Sequence, residues 1–108
     1  YVTTPVSVFF NLGKSKVASK KDLVNVQALA NYAKDNNANL LVTGYADSAT
    51  GTPEYNQKLS QKRADIVADA LVNNMGVNRS QVSTAAKGGV KDLSPVSYNR
   101  RATVEITK

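Results

Sequence analysis

The chain has 108 residues, with 14 Lys and Arg against 8 Asp and Glu, a formal net charge of +6, and neither cysteine nor histidine. That composition excludes disulfides, thiolate or imidazole metal sites and a histidine general base, so hydrolytic chemistry is disfavoured and no metal or cofactor is expected. The length suits one domain, and no apolar run approaches the ~18 residues that a membrane-spanning helix requires.

In chain order, Pro5 to Phe10 is rich in β-branched and aromatic residues and predicts a short strand ending at Asn11-Leu12-Gly13. Ser19-Lys20-Lys21-Asp22 predicts a capping box, with Ser19 as N-cap and Asp22 reaching back. Leu23, Val26, Ala30 and Ala33 follow at helical spacing, and Asp35-Asn36-Asn37 is the stop. Asn39 to Tyr45 is a short apolar run of the kind buried as a strand. Thr52-Pro53 starts a second helix, because proline at the first helical position forfeits no hydrogen bond. Ser60, Ala64, Val67 and Leu71 form its inner face, and Gly76 closes it in a left-handed conformation. Val82 to Ala86 predicts a further strand, Lys87 to Tyr98 a loop of about twelve residues. Ala102 to Thr107 predicts a closing strand with Ala, Val and Ile inward. The fold expected is α/β: a two-layer sandwich of βαβαββ order, a mixed sheet with two main helices on one face. Residues 1–108 read as one domain of a longer protein, because the chain begins at Tyr1 and shows no signal or lipidation motif.

Asp47 follows the 39–45 strand, and Arg63 lies ten residues past Pro53 in the second helix. A helix returning antiparallel to the strand descends ~15 Å over ten residues, while the connecting segment 46–52 spans at most ~20 Å. The two side chains can therefore share one site. Spacing alone favours an internal salt bridge pinning loop to helix, since such pairs are common. The alternative is a zwitterion clamp, with Asp47 taking an ammonium and Arg63 a carboxylate.

Val8-Phe9-Phe10, Gly44-Tyr45-Ala46-Asp47, Tyr55-Asn56, Leu59-Ser60-Gln61-Lys62-Arg63-Ala64, Gly76-Val77 and Asn99-Arg100-Arg101-Ala102-Thr103-Val104 occur in an order that resembles the OmpA-like peptidoglycan-binding domain over nearly the whole chain. The resemblance implies that Asp47 and Arg63 bind the diaminopimelate of the peptide stem. It implies that Asn56 contacts the ligand or holds the loop, and that Arg101, or its neighbour Arg100, adds a cationic wall. By the same resemblance the chain is a non-catalytic anchor of an outer-membrane protein to the cell wall. Its partner is then peptidoglycan, on the periplasmic face of a Gram-negative outer membrane. A lipoprotein-type or flagellar stator-type anchor is the variant within the family.

Three departures bear on the ligand. Tyr45-Ala46 stand where the family has His-Thr, Asn11 replaces an acidic residue after the first-strand aromatics, and the loop from Asp47 to Gly51 is one residue longer than in the family's lipoprotein members. Asn11, Tyr45 and Ala46 therefore complete the candidate site. Substituting Asp47 or Arg63 is expected to remove binding and leave melting nearly unchanged.

The basic balance also suits a nucleic-acid-binding α/β domain. Leu40-Leu41-Val42-Thr43 and Val82-Ser83-Thr84-Ala85-Ala86 lack the aromatics that an RNA-binding sheet uses, so no nucleic-acid partner is expected. Ser60 has no adjacent base and reads as small-residue packing. Gly88-Gly89 lacks the lysine and serine of a phosphate loop and reads as a turn. Phe9 and Phe10 must point to opposite sheet faces, one into the core and the other to line the site. Tyr45 and Tyr55 flank it.

Overall fold

The computed structural model describes residues 6–10, 21–47, 51–90 and 101–107, with Asp47, Gly89 and Val90 described in their backbone alone. The elements are β1 (Val6–Phe9), α1 (Lys21–Asn36), β2 (Leu40–Asp47), α2 (Pro53–Asn73), a 3-10 turn (Arg79–Gln81), β3 (Val82–Val90) and β4 (Arg101–Ile106). The strands form one mixed sheet in the order β1-β4-β2-β3. β4 runs antiparallel to both β1 and β2, and β2 and β3 are parallel, as a strand–helix–strand connection through α2 requires. Fold class and element order agree with the sequence reading.

Alternation along the strands puts Val8, Leu40, Val42, Ala102 and Val104 on the helix side, where each is fully buried. They share one cluster with Val26, Leu29, Ala30 and Ala33 of α1 and Ala64, Val67, Ala68 and Leu71 of α2. Both helices thus cover the same face. Ile106 packs against this cluster as the third inward residue of β4.

The helix ends are set by local chemistry. Thr52 is the N-cap of α2, its hydroxyl accepting from the Tyr55 N–H at 3.1 Å, with Pro53 in the first turn. Asn37 closes α1 at φ 51°, and the Ala38 N–H reaches back to the Ala33 carbonyl at 3.0 Å in a Schellman pattern. Gly76, at φ 78°, follows α2 as the sequence predicts. Ser19 lies outside the described residues. The Asp22 carboxylate accepts from the Phe9 backbone N–H at 3.1 Å, so α1 covers a backbone donor of the edge strand β1.

Buried Gln81 joins the end of α1 to the start of β3. Its amide nitrogen donates to the carbonyls of Ala33 and Ala38, at 3.1 and 2.8 Å. Gln81→Leu removes that donor from both carbonyls and is expected to destabilise by about 1–3 kcal/mol. A thermal melt should register this as a Tm roughly 5–15 °C lower. A Leu variant melting with the parent would show that the two bonds contribute nothing net.

Two boundaries differ from the sequence reading. β2 continues through Ala46 and Asp47, which pair with Gly89 and Val90, so Asp47 belongs to the strand and not to the loop. β3 correspondingly runs to Val90, and Gly88-Gly89 is not a turn. Gly44 pairs with Ala86 and Ala46 with Gly89, two residues of β2 against three of β3, so β3 carries a bulge. Gly88 adopts φ 68° there, a conformation glycine takes without strain. The rest of the expected loop, 91–98, lies outside the described residues.

Candidate functional site

The floor of the site is the crossing of α2 over β2. Gly44 faces the helix backbone. A Cβ built on it would collide with the Ser60 carbonyl oxygen and lie 2.8 Å from the Ser60 carbonyl carbon and 3.0 Å from the Ala64 nitrogen. Glycine in β2 opposite Ser60 and Ala64 in α2 lets the two backbones touch. Ser60 is fully buried; its hydroxyl donates to the Gln57 carbonyl at 2.8 Å and accepts from the Gly88 N–H at 3.0 Å. Its role goes beyond small-residue packing: it binds an amide of the β3 bulge.

One helical step beyond Ser60, Arg63 is brought against the end of β2. Its Nη1 donates to the Tyr45 carbonyl at 2.8 Å, and its guanidinium lies 5.2 Å from the centroid of the Phe10 ring. Arg63 is the largest wholly buried side chain among the described residues, with 0% exposure. An ion so enclosed persists only where hydrogen bonds and π contacts replace its hydration. The expectation that Arg63 could be removed without effect on melting is therefore corrected: this side chain is part of the packed interior.

Tyr45 stands between two arginines. Its carbonyl receives Arg63, and its ring carries the Arg101 guanidinium at 4.4 Å from the centroid. Tyr45 and Arg101 are both half-buried. Phe10 is the core member of the phenylalanine pair, 3% exposed, and it is also the ring that supports Arg63. Phe10 therefore serves both the core and the support of Arg63.

Asn56, 5% exposed, sits in the first turns of α2, where its backbone N–H donates to the Thr52 carbonyl at 2.9 Å. A Cβ on Gly51, which has φ 76°, would lie 3.1 Å from the Asn56 Oδ1, so the asparagine packs against the end of the β2–α2 loop. Ala46 is wholly buried and presents no methyl surface to a ligand. Tyr55 is exposed, and Asn11 and Arg100 lie outside the described residues. The structure thus gathers Tyr45, Arg63 and Arg101 with Phe10, and places the Asp47 backbone two residues from the Tyr45 carbonyl.

Gly44 and the bulge were not singled out as parts of the site from sequence. The available signal was Gly44 itself, since glycine inside an apolar strand marks close backbone approach. A hollow of about 370 Å³ between the start of α1 and the second half of α2, lined by Leu23, Ile66, Val67, Asp69, Ala70, Asn73 and Asn74, includes none of the predicted site residues. Its lining lacks convergent cations, so the charged corner at Tyr45 is the better candidate. Among the described residues no three His, Cys, Asp or Glu are grouped to hold a metal ion, and no helix is long and apolar enough to cross a membrane.

Known proteins share this fold. The chain is 40% identical over 86 residues to outer membrane protein 40 of Porphyromonas gingivalis, covering 80% of this chain and 22% of that protein. It is 36% identical over 102 residues to outer membrane porin F of Pseudomonas aeruginosa, covering 94% and 28%. The crystal structure of the peptidoglycan-associated lipoprotein from Burkholderia pseudomallei superposes with a TM-score of 0.81 at 30% identity, covering 94% of this chain and 89% of that one. The chain spans about a quarter of the length of the first curated relatives it matches. The family model of the OmpA family matches residues 9–104, and the chain belongs to that family.

Proposed function

We propose that this domain binds peptidoglycan without catalysis, gripping the diaminopimelate of the peptide stem and tethering an outer-membrane protein to the cell wall from the periplasmic side. The single observation that carries the reading is the placement of Arg63: the α2 guanidinium reaches the carbonyl of Tyr45, two residues from Asp47 on the same strand. An Asp and an Arg at one corner suit a ligand group bearing both an ammonium and a carboxylate. Family membership and the likeness to a peptidoglycan-associated lipoprotein support the polymer as the partner. Because Arg63 is fully enclosed, its contact with a ligand carboxylate requires the site to open.

The decisive experiment is competition. Free diaminopimelate should displace the domain from purified peptidoglycan. Lysine, which lacks the distal carboxylate, should compete at least roughly tenfold more weakly, since a charge-assisted hydrogen bond is lost. Glutamate should fail through repulsion by Asp47, and Asp47→Ala should lose sedimentation with the polymer. Equal competition by lysine and diaminopimelate would refute the clamp, and tight, salt-sensitive RNA binding would point to the nucleic-acid reading instead.

A further inference from the structure

The bulge in β3, the end of β2 and the first half of α2 meet at one side chain, Ser60. β4 pairs with β2 from Leu40 only as far as Gly44, which stands opposite Ala102. Among the described residues, Ala46 and Asp47 are therefore paired on the β3 side alone, with Gly89 and Val90. Those partners lie beyond the bulge, so the end of β2 takes its position from how the bulge closes. Gly88, at φ 68°, is buried there, and its N–H goes to the Ser60 hydroxyl of α2 at 3.0 Å. Ser60 is held in turn: its hydroxyl donates to the Gln57 carbonyl at 2.8 Å, which leaves an oxygen lone pair for the amide. Arg63 stands three residues further along the same helix and holds the Tyr45 carbonyl of β2 at 2.8 Å. One face of α2 thus grips both strand ends, β2 through Arg63 and β3 through Ser60.

We propose that Ser60 is a positioning residue for ligand binding: by fixing the Gly88 amide it sets where the Asp47 backbone stands relative to the α2 face that carries Arg63. The proposal rests on the peptidoglycan reading above and adds to it a residue that touches no ligand. A two-point contact needs its charges at a set separation, because a charge-assisted hydrogen bond weakens steeply as its geometry departs from ideal. Setting that separation in advance lowers the ordering cost of binding. α2 presses on the bulge at a second point. A Cβ on Gly88 would lie 2.9 Å from the Gln57 Oε1, and the Gln57 side-chain nitrogen donates to the Ala86 carbonyl at 3.4 Å. Removing the Ser60 hydroxyl leaves a buried N–H without its acceptor. The relief open to that amide is to turn toward water, which carries Gly89 and Val90 and with them the end of β2.

The test is titration of the 108-residue chain with free diaminopimelate by NMR, set beside thermal melts, for Ser60→Ala and for Gln81→Leu as a matched control. Both changes take a buried partner from backbone groups, and Gln81 lies at the opposite end of β3, next to its first residue. Both variants should melt below the parent. At temperatures where both are folded, Ser60→Ala should bind diaminopimelate roughly tenfold more weakly, and Gln81→Leu should bind like the parent. Amide exchange in segments 45–47 and 88–90 should quicken in Ser60→Ala and not in Gln81→Leu. Ser60→Cys fills the same space with a weaker acceptor and should lose about threefold; it carries the comparison if the alanine variant does not fold. Undiminished affinity in whichever of the two Ser60 variants folds would overturn the positioning role. So would a loss in Gln81→Leu as large as theirs, since affinity would then follow stability alone. Failure of the parent chain to bind either diaminopimelate or peptidoglycan would overturn the peptidoglycan reading itself.

Discussion

Gly44→Ala is expected to lower the Tm by at least roughly 10 °C, a loss of about 3 kcal/mol or more. The added methyl has nowhere to go. It meets the Ser60 carbonyl group and the Ala64 nitrogen, which are helix backbone and cannot rotate aside as a side chain would. Relief requires lifting α2 from β2, and that would also strain the Ser60 contacts to Gln57 and Gly88 and the reach of Arg63 to Tyr45. Gly76→Ala provides the contrast. Gly76 has φ 78° but open surroundings, a Cβ built there lying 3.8 and 3.9 Å from the nearest atoms, both on the Lys34 side chain. Its penalty is confined to the left-handed backbone, about 1–2 kcal/mol. Circular dichroism melts of both variants measure the difference. A Gly44→Ala protein melting within a few degrees of the parent would mean that α2 does not seat on β2 as described.

Arg63→Ala should damage both stability and binding. A side chain of this size, with no exposure, leaves a cavity when truncated, and large-to-small changes of that kind cost about 2–5 kcal/mol. The Tyr45 carbonyl loses its 2.8 Å donor at the same time. The expected fall in Tm is roughly 10–20 °C. Arg63→Lys should recover part of the stability by refilling the space and keeping a cation. It lacks the planar group that lies over Phe10 and the forked donors that grip a carboxylate, so peptidoglycan sedimentation should remain weak. Binding must be compared well below the variants' melting temperatures, where both are folded. If Arg63→Ala melted with the parent, the enclosed guanidinium would be wrong; if it bound normally while folded, Arg63 would have no part in the site.

Features set by short-range chemistry were legible in the chain alone. The apolar spacing of Val26, Ala30 and Ala33 and of Ser60, Ala64, Val67 and Leu71 identified both buried helix faces, because a 3.6-residue period is visible without knowing the partner. Thr52-Pro53, Asn37 and Gly76 marked helix ends through their own caps and backbone preferences. The ordered motifs, from the first-strand aromatics to Asn99-Arg100-Arg101, were enough to identify the family. Tertiary structure alone decided the length of β3, the burial of Arg63 and the double role of Tyr45. Locally, Gly88-Gly89 breaks a strand, and it stays in one here because β2 supplies a ladder and Ser60 binds the Gly88 amide. Spacing brought Arg63 near Asp47, yet whether its guanidinium lay in water or against Phe10 depended on residues more than fifty positions apart in the chain. Likewise the stacking of Arg101 on Tyr45 exists only because β4 pairs antiparallel to β2, and pairing between distant strands is set by the shared core instead of by either strand's own residues.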